Sequence, residues 1–251
     1  MTPRPEQRAD AENQLMELAH KISDIGEEIG LPYVAISADI SDPEPVLDTD
    51  NKPMAETIFR WLGPNLAYWK DRAFALRAGV IRSARNTAEP FYVKDGKSGT
   101  WRYSETVENF DLGVSSENYG VRTSIVCPCH LPFGIIGTIV WANDQLLDNI
   151  EEIFCKNAER MHIISLKFVA LYNDLHSATR RDLEVDLTRR EIQCLKWAAA
   201  GKTDSEIATI VGISAPTVRF HLNNASRKFG VTGRGQAIHH ATRLGYVGRM
   251  S

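Results

Sequence analysis

The chain has 251 residues, of which 43% are hydrophobic and 24% charged, with a formal net charge of −3. That balance fits a soluble protein of one or two domains with room for a sizeable core, and excludes disordered, fibrous and collagen-like chains. No apolar run approaches the roughly 20 residues of a membrane span, and the amino terminus lacks the apolar core of a secretory signal. Four scattered cysteines (Cys127, Cys129, Cys155, Cys194) are too few for a disulfide framework, so a reduced, cytoplasmic protein is expected.

In chain order, Leu15, Leu18, Ile22, Ile25 and Ile29 recur at helical spacing up to Gly30. Leu31 to Ser37 reads as a strand, and the Asp- and Pro-rich run from Ile40 to Pro53 as a loop. Met54 to Ile81 reads as helix in two pieces, broken near Gly63-Pro64. Short strands are expected at Pro90 to Val93 and at Thr100 to Tyr103. A hairpin follows, from Val121 to Cys129 and back from Ile135 to Trp141 across Leu131-Pro132-Phe133-Gly134.

From Leu146 to Leu175 a long helix carries Leu147, Ile150, Phe154, Met161, Ile164, Phe168, Tyr172 and Leu175 on one face. Ile153, Ile163, Leu166 and Val169 widen that stripe beyond what one core needs, which makes it the candidate seam of a homodimer. The order describes an α+β domain, an antiparallel sheet between helical layers, over about residues 1–176. The polar segment from Ser177 to Asp186 reads as a linker.

The rest of the chain, 187–251, differs in charge. It holds ten Lys/Arg against three Asp/Glu, a net +7, whereas the preceding residues carry −10. A basic domain on an acidic body points to a polyanion met by the carboxy-terminal part alone. Thr188 and Glu191 form a capping box opening a helix that runs through Ala200 to Gly201. A second helix spans about Asp204 to Val211, with Gly212-Ile213 as a short turn. Ser214 caps a third, in whose first turn Pro216 is tolerated, and a fourth covers about Gln236 to Leu244.

Two short helices joined by a tight Gly-containing turn make a helix-turn-helix. The third helix buries Val218, Leu222, Ala225 and Phe229, leaving Arg219, Phe220, Asn223 and Arg227 to face the base edges of double-stranded DNA. Arg suits guanine, Asn suits adenine and an apolar group suits the thymine methyl. Lys202, Thr203, Ser214, Thr217, Lys228 and Arg234 lie near helix ends, where phosphate oxygens are held.

These residues resemble a known family. Leu187-Thr188-x-Arg190-Glu191, Ala200-Gly201-Lys202, Glu206-Ile207-Ala208, Ile213-Ser214-x-x-Thr217-Val218-x-x-His221 and Lys228-Phe229-Gly230-Val231 are similar, over roughly 60 ungapped residues, to the LuxR-type DNA-binding domain. The resemblance implies recognition through Arg219, Phe220 and Asn223. The amino-terminal part has neither the acidic pair of a phospho-receiver nor a Walker-type loop.

It resembles the autoinducer-binding domain of quorum-sensing LuxR regulators instead. The matching residues are Val80-Ile81-x-x-Ala84-x5-Pro90-Phe91 and Tyr119-Gly120-Val121-Arg122-x2-Ile125-x2-Pro128. That resemblance implies an α-β-α sandwich holding an acyl-homoserine lactone between the sheet and one helical layer. The family's Trp and Tyr fall on Asn65 and Trp69, its Asp-Pro on Ala78-Gly79, and a later sheet glycine on Ser124. Pocket candidates are Trp61, Tyr68, Trp69, Phe74, Tyr92, Trp101 and Trp141, with Ser124, Cys127 and Cys129 on the hairpin.

The signal is then either an acyl-homoserine lactone seated in a shifted register on Trp61, Tyr68 or Trp69, or a different compound. An enzymatic or metal-binding input domain is the third reading. Cys127-Pro128-Cys129-His130 supplies too few ligands for a zinc site and no orienting partner for a nucleophile, so no metal, cofactor or catalytic residue is assigned.

Overall fold

The computed structural model describes residues 5–42, 44–60, 62, 79–109, 120–176 and 185–248. Two compact units divide the chain, residues 1–131 with 135–177 and residues 178–251 with 132–134. Among the described residues no helix is long and apolar enough to cross a membrane.

The first unit opens with α1 (Pro5–Ile29), whose buried side is Leu15, Ala19, Ile22 and Gly26. Gly30, at φ 77°, ends it, because a left-handed residue suits glycine best. Then come β1 (Tyr33–Ser37), the single turn α2 (Met54–Thr57), α3 (Gly79–Asn86), β2 (Phe91–Lys94), β3 (Lys97–Gly99) and α4 (Glu105–Glu108). β4 (Thr123–His130) and β5 (Ile136–Asn143), joined through a 3-10 turn at Pro132–Gly134, lead into α5 (Ile150–His176). Two sequence expectations change. The helix expected to stop at Ile81 runs to Asn86, and the strand expected at Thr100 to Tyr103 is instead Lys97–Gly99. Asp95 (φ 50°) and Gly96 (φ 78°) make a two-residue turn that pairs Lys94 with Lys97, so the returning strand begins earlier.

All strand pairings are antiparallel, in the order β1-β5-β4-β2-β3. The register sorts the side chains into two faces. Val34, Ile36, Tyr92, Ile125, Cys127, Cys129, Ile139 and Trp141 join α1 and α5 in the main core. Phe91, Val93, Val126, Val140 and Ala142 form a second core on the opposite face, with Val107 of α4 and Val80 of α3 against it. Both central strands are buried on both faces, which is why β4 shows no polar alternation. The result is the expected α+β arrangement, a sheet between helical layers. The apolar breadth of α5 is mostly consumed within the unit: Ile153, Ile164, Leu166, Leu171 and Leu175 pack against the main core, while Ile163 is exposed.

The second unit has four described helices, α6 (Arg189–Ala199), α7 (Asp204–Val211), α8 (Ala215–Lys228) and α9 (Arg234–Arg243). Their core is Leu187, Cys194, Leu195, Ala198, Ile207, Val218, Leu222, Ala225, Phe229, Ala237, Ala241 and Val247.

Candidate nucleic-acid interface and ligand pocket

The turn between α7 and α8 is built from local chemistry. Thr203 and Glu206 form a second capping box: Glu206 N–H donates to Thr203 Oγ1 at 3.3 Å, and Thr203 N–H to Glu206 Oε2 at 2.8 Å. The Thr203 N–H and the Thr203 hydroxyl, which donates to Glu206 Oε2 at 2.9 Å, hold the Glu206 carboxyl below its usual range. Gly212, at φ 71°, closes α7. Ser214 Oγ then accepts the Thr217 N–H at 3.3 Å and lies 2.7 Å from Thr217 Oγ1.

Roughly 100° per residue places Arg219, Phe220, Asn223 and Arg227 within about a quarter-turn of one another, away from the buried Val218, Leu222, Ala225 and Ser226. All four are exposed, and Phe220, at 59%, is a large apolar side chain facing solvent. Arg227 hydrogen-bonds Asn224 on its own helix. The face thus sets two guanidiniums, one amide and one apolar group side by side.

Several basic groups are held by acids. Asp204, in the first turn of α7, accepts Arg219 Nε at 3.2 Å through one oxygen and Arg234 Nη1 at 2.6 Å through the other. Arg234 also donates to the Lys202 carbonyl, and Lys202 Nζ lies 3.5 Å from Glu206. Asp204 escaped the sequence reading because it stands fifteen residues from Arg219 and thirty from Arg234, and an acid in a first helical turn looks ordinary.

Lys228 takes a different place from the one expected. Its Nζ donates to Glu191 Oε2 and to the Asp186 carbonyl, each at 2.8 Å. Glu191, only 3% exposed, also accepts the Thr188 N–H at 2.7 Å. Burial alone raises the Glu191 pKa, but Lys228 and Thr188 outweigh it and the carboxyl is held below its usual range. In the free protein Lys228 is therefore a clamp on the domain's first helix rather than a free phosphate ligand.

The ten pocket candidates separate. Trp61, Tyr68, Trp69 and Phe74 lie outside the described residues. Trp101 is 65% exposed, its indole N–H bonded to Glu89 at 3.0 Å and its ring under the Arg102 guanidinium. Tyr92, Cys127, Cys129 and Trp141 belong to the face covered by α1 and α5. The Tyr92 ring lies 5.4 Å from that of Phe154, and Trp141 donates its indole N–H to the Ile22 carbonyl at 2.9 Å. A Cβ on Gly26 would stand 2.9 Å from Trp141 Cδ1, so that interface is closed.

Burial pushes the Cys129 thiol up to about 12 and that of Cys127 well above its usual value, so both are inert packing groups. Burial likewise raises Tyr92 to about 12, with Glu151 adding to it. Ser124 alone of the described candidates is buried on the opposite face, toward α3 and α4. One cavity cannot be lined by both sets, because a sheet layer separates them. Among the described residues no group of three His, Cys, Asp or Glu gathers as a metal cluster; His130 Nε2 is within hydrogen-bond distance of the Ala84 and Thr87 carbonyls instead.

Comparison with known proteins adds three findings. Residues 185–241 match the model of "Bacterial regulatory proteins, luxR family". The chain is 36% identical over 132 residues to the transcriptional activator protein VanR of Vibrio anguillarum, covering 51% of this chain and 53% of that one. It is 35% identical over 176 residues to the transcriptional activator protein ExpR of Dickeya dadantii, covering 66% of each. The aligned part thus spans about half the length of the first relatives it matches. A solved structure of SdiA in complex with octanoyl-rac-glycerol aligns over 100% of both chains at 17% identity, with a TM-score of 0.46.

Proposed function

We propose that this chain is a ligand-responsive transcriptional regulator of the luxR type, a reading supported by the match of residues 185–241 to the model of bacterial regulatory proteins, luxR family. In this reading the α8 helix reads promoter DNA, the chain binds as a homodimer, and the α-β-α domain senses a small, neutral, largely apolar molecule. The observation that carries it is the exposed face of α8, where Arg219, Phe220 and Asn223 stand side by side on a helix fixed by the Ser214 cap. The phosphate-holding set is Lys202, Thr203, Ser214, Thr217 and Arg234, near the helix ends. Lys228 joins it only by leaving Glu191.

The sensing half of the reading rests on the face toward α3 and α4, because the opposite face is filled by α1 and α5. A ligand that binds one state of the protein better shifts the population competent for DNA, which is all that regulation requires.

Two measurements test the reading on the full chain. Fluorescence anisotropy against selected and random duplexes should show a preferred sequence and a steep salt dependence. Binding that ignores sequence would overturn the α8 assignment. Thermal unfolding is followed against N-octanoyl-homoserine lactone, its 3-oxo derivative and 1-octanoylglycerol. A bound probe at a hundred times its Kd should stabilise by roughly 2.7 kcal/mol. A shift with lactones alone makes the chain a lactone receptor with Ala78-Gly79 where the family has Asp-Pro, and no shift with any probe removes the apolar-signal reading.

A further inference from the structure

Two buried hydroxyls, Ser83 Oγ and Thr138 Oγ1, have no hydrogen-bond partner among the described residues, and their side chains are 1% and 2% exposed. Three other buried hydroxyls among the described residues are paired. Ser165 donates to the Met161 carbonyl four residues back at 2.6 Å, Ser226 to Leu222 at 3.0 Å, and Thr123 to Gln145 at 2.8 Å. An unpaired buried hydroxyl is costly, so two of them together call for an occupant.

Their positions put them in one interlayer space. On β5, Gly137 and Ile139 face α5: a Cβ on Gly137 would stand 2.4 Å from Val169 Cγ1, and Ile139 is part of the main core. Thr138, between them, therefore points to the other face, toward α3. It pairs with Pro128 of β4, two residues before His130. His130 Nε2 lies 2.9 Å from the Ala84 carbonyl and 3.0 Å from that of Thr87, which ties the end of α3 to the end of β4. Ser83 precedes Ala84 on the buried side of α3. The neighbours on this face, Phe91, Val93, Val126 and Val140, are apolar, and no charged side chain is buried among the described residues of this unit.

We infer that Ser83 and Thr138 are the polar contacts of the ligand site, a pair of hydroxyls that hydrogen-bonds a carbonyl or hydroxyl oxygen of a neutral, otherwise apolar molecule. This rests on the sensing reading and locates its polar end between α3 and β5. An anion is disfavoured because the surrounding buried groups carry no positive charge.

The experiment compares the full chain with Ser83→Ala, Thr138→Val and the double variant, first without additives and then titrated with the same three probes. Ligand-free, each variant should melt at or above the wild-type temperature, since an unpaired hydroxyl contributes nothing to the fold. With a probe that binds the wild type, each variant should weaken affinity about tenfold, the worth of one hydrogen bond. A ligand-free melting temperature several degrees lower would show that the hydroxyls have protein partners and would overturn the inference. Unchanged affinity would overturn it while leaving the sensing reading intact. Absence of any shift in the wild type would remove the sensing reading and this inference with it.

Discussion

Lys228→Met tests the clamp on α6 most directly. The Lys228 ammonium stands 2.8 Å from a Glu191 carboxylate that is 3% exposed, and its own side chain is 37% exposed. At that distance the gross attraction is about 6 kcal/mol for an effective dielectric near 20 and about 1.5 kcal/mol in water. Removing one partner of a buried pair costs roughly 3–5 kcal/mol. Solvent access at Lys228 and the remaining Thr188 N–H bond reduce this, so about 2 kcal/mol is expected. For a domain of this size each kcal/mol moves the melting temperature by roughly 4–8 °C.

The assay is far-ultraviolet circular dichroism of the full chain, following the transition of the helical carboxy-terminal domain. Glu191→Gln combined with Lys228→Met should recover most of the loss, because a neutral amide still accepts the Thr188 N–H and needs no cation. The deficit should also depend on pH. The folded Glu191 pKa is depressed, so its ionised form stabilises the domain above the unfolded value of about 4.3 and ceases to as pH falls through the folded value. The single variant and the wild type should converge in acid. A Lys228→Met protein that melts like the wild type at pH 7, while its DNA affinity loses about one unit of salt slope, would refute the clamp and restore a phosphate contact.

Other expectations follow from single contacts. Arg219→Ala should cost about 1–3 kcal/mol on a preferred duplex and little on random DNA, measured by anisotropy at fixed salt; equal losses on both would make Arg219 a backbone contact. Gly137→Ala should destabilise by about 1–3 kcal/mol in urea unfolding, because its Cβ would stand 2.4 Å from Val169 Cγ1 and 3.0 Å from the Ser37 and Ala38 carbonyls. A neutral outcome would show that α5 does not pack on that strand. Of the four thiols only Cys155 is exposed, so a disulfide reagent should titrate one equivalent quickly in the native protein and four after unfolding. Fast reaction of Cys127 or Cys129 would contradict their placement in the main core.

Much of the architecture was legible in the chain because it is set by neighbours in sequence. The spacing of Leu15, Ile22 and Ile29 marks α1, and the capping pair Thr188–Glu191 marks the start of α6. Asp95-Gly96 is a local hairpin signal of the same kind, and it sets β3 at Lys97–Gly99 rather than at Thr100 to Tyr103. Helix caps, turns and periodicity act over four residues or fewer, so one dimension suffices to read them.

The tertiary structure alone decided what each surface meets. Alternation along β4 divides Ser124 and Val126 from Cys127 and Cys129, but with both faces buried nothing in the strand says which face α1 and α5 cover. That choice separates closed core from candidate ligand site, the side on which Ser83 and Thr138 have no hydrogen-bond partner among the described residues. The ties from Asp204 to Arg219 and from Glu191 to Lys228 likewise span fifteen and thirty-seven residues. Charges so far apart in sequence pair only once hydrophobic packing has brought their helices together, so the pairing is a property of the assembled core and not of any local run.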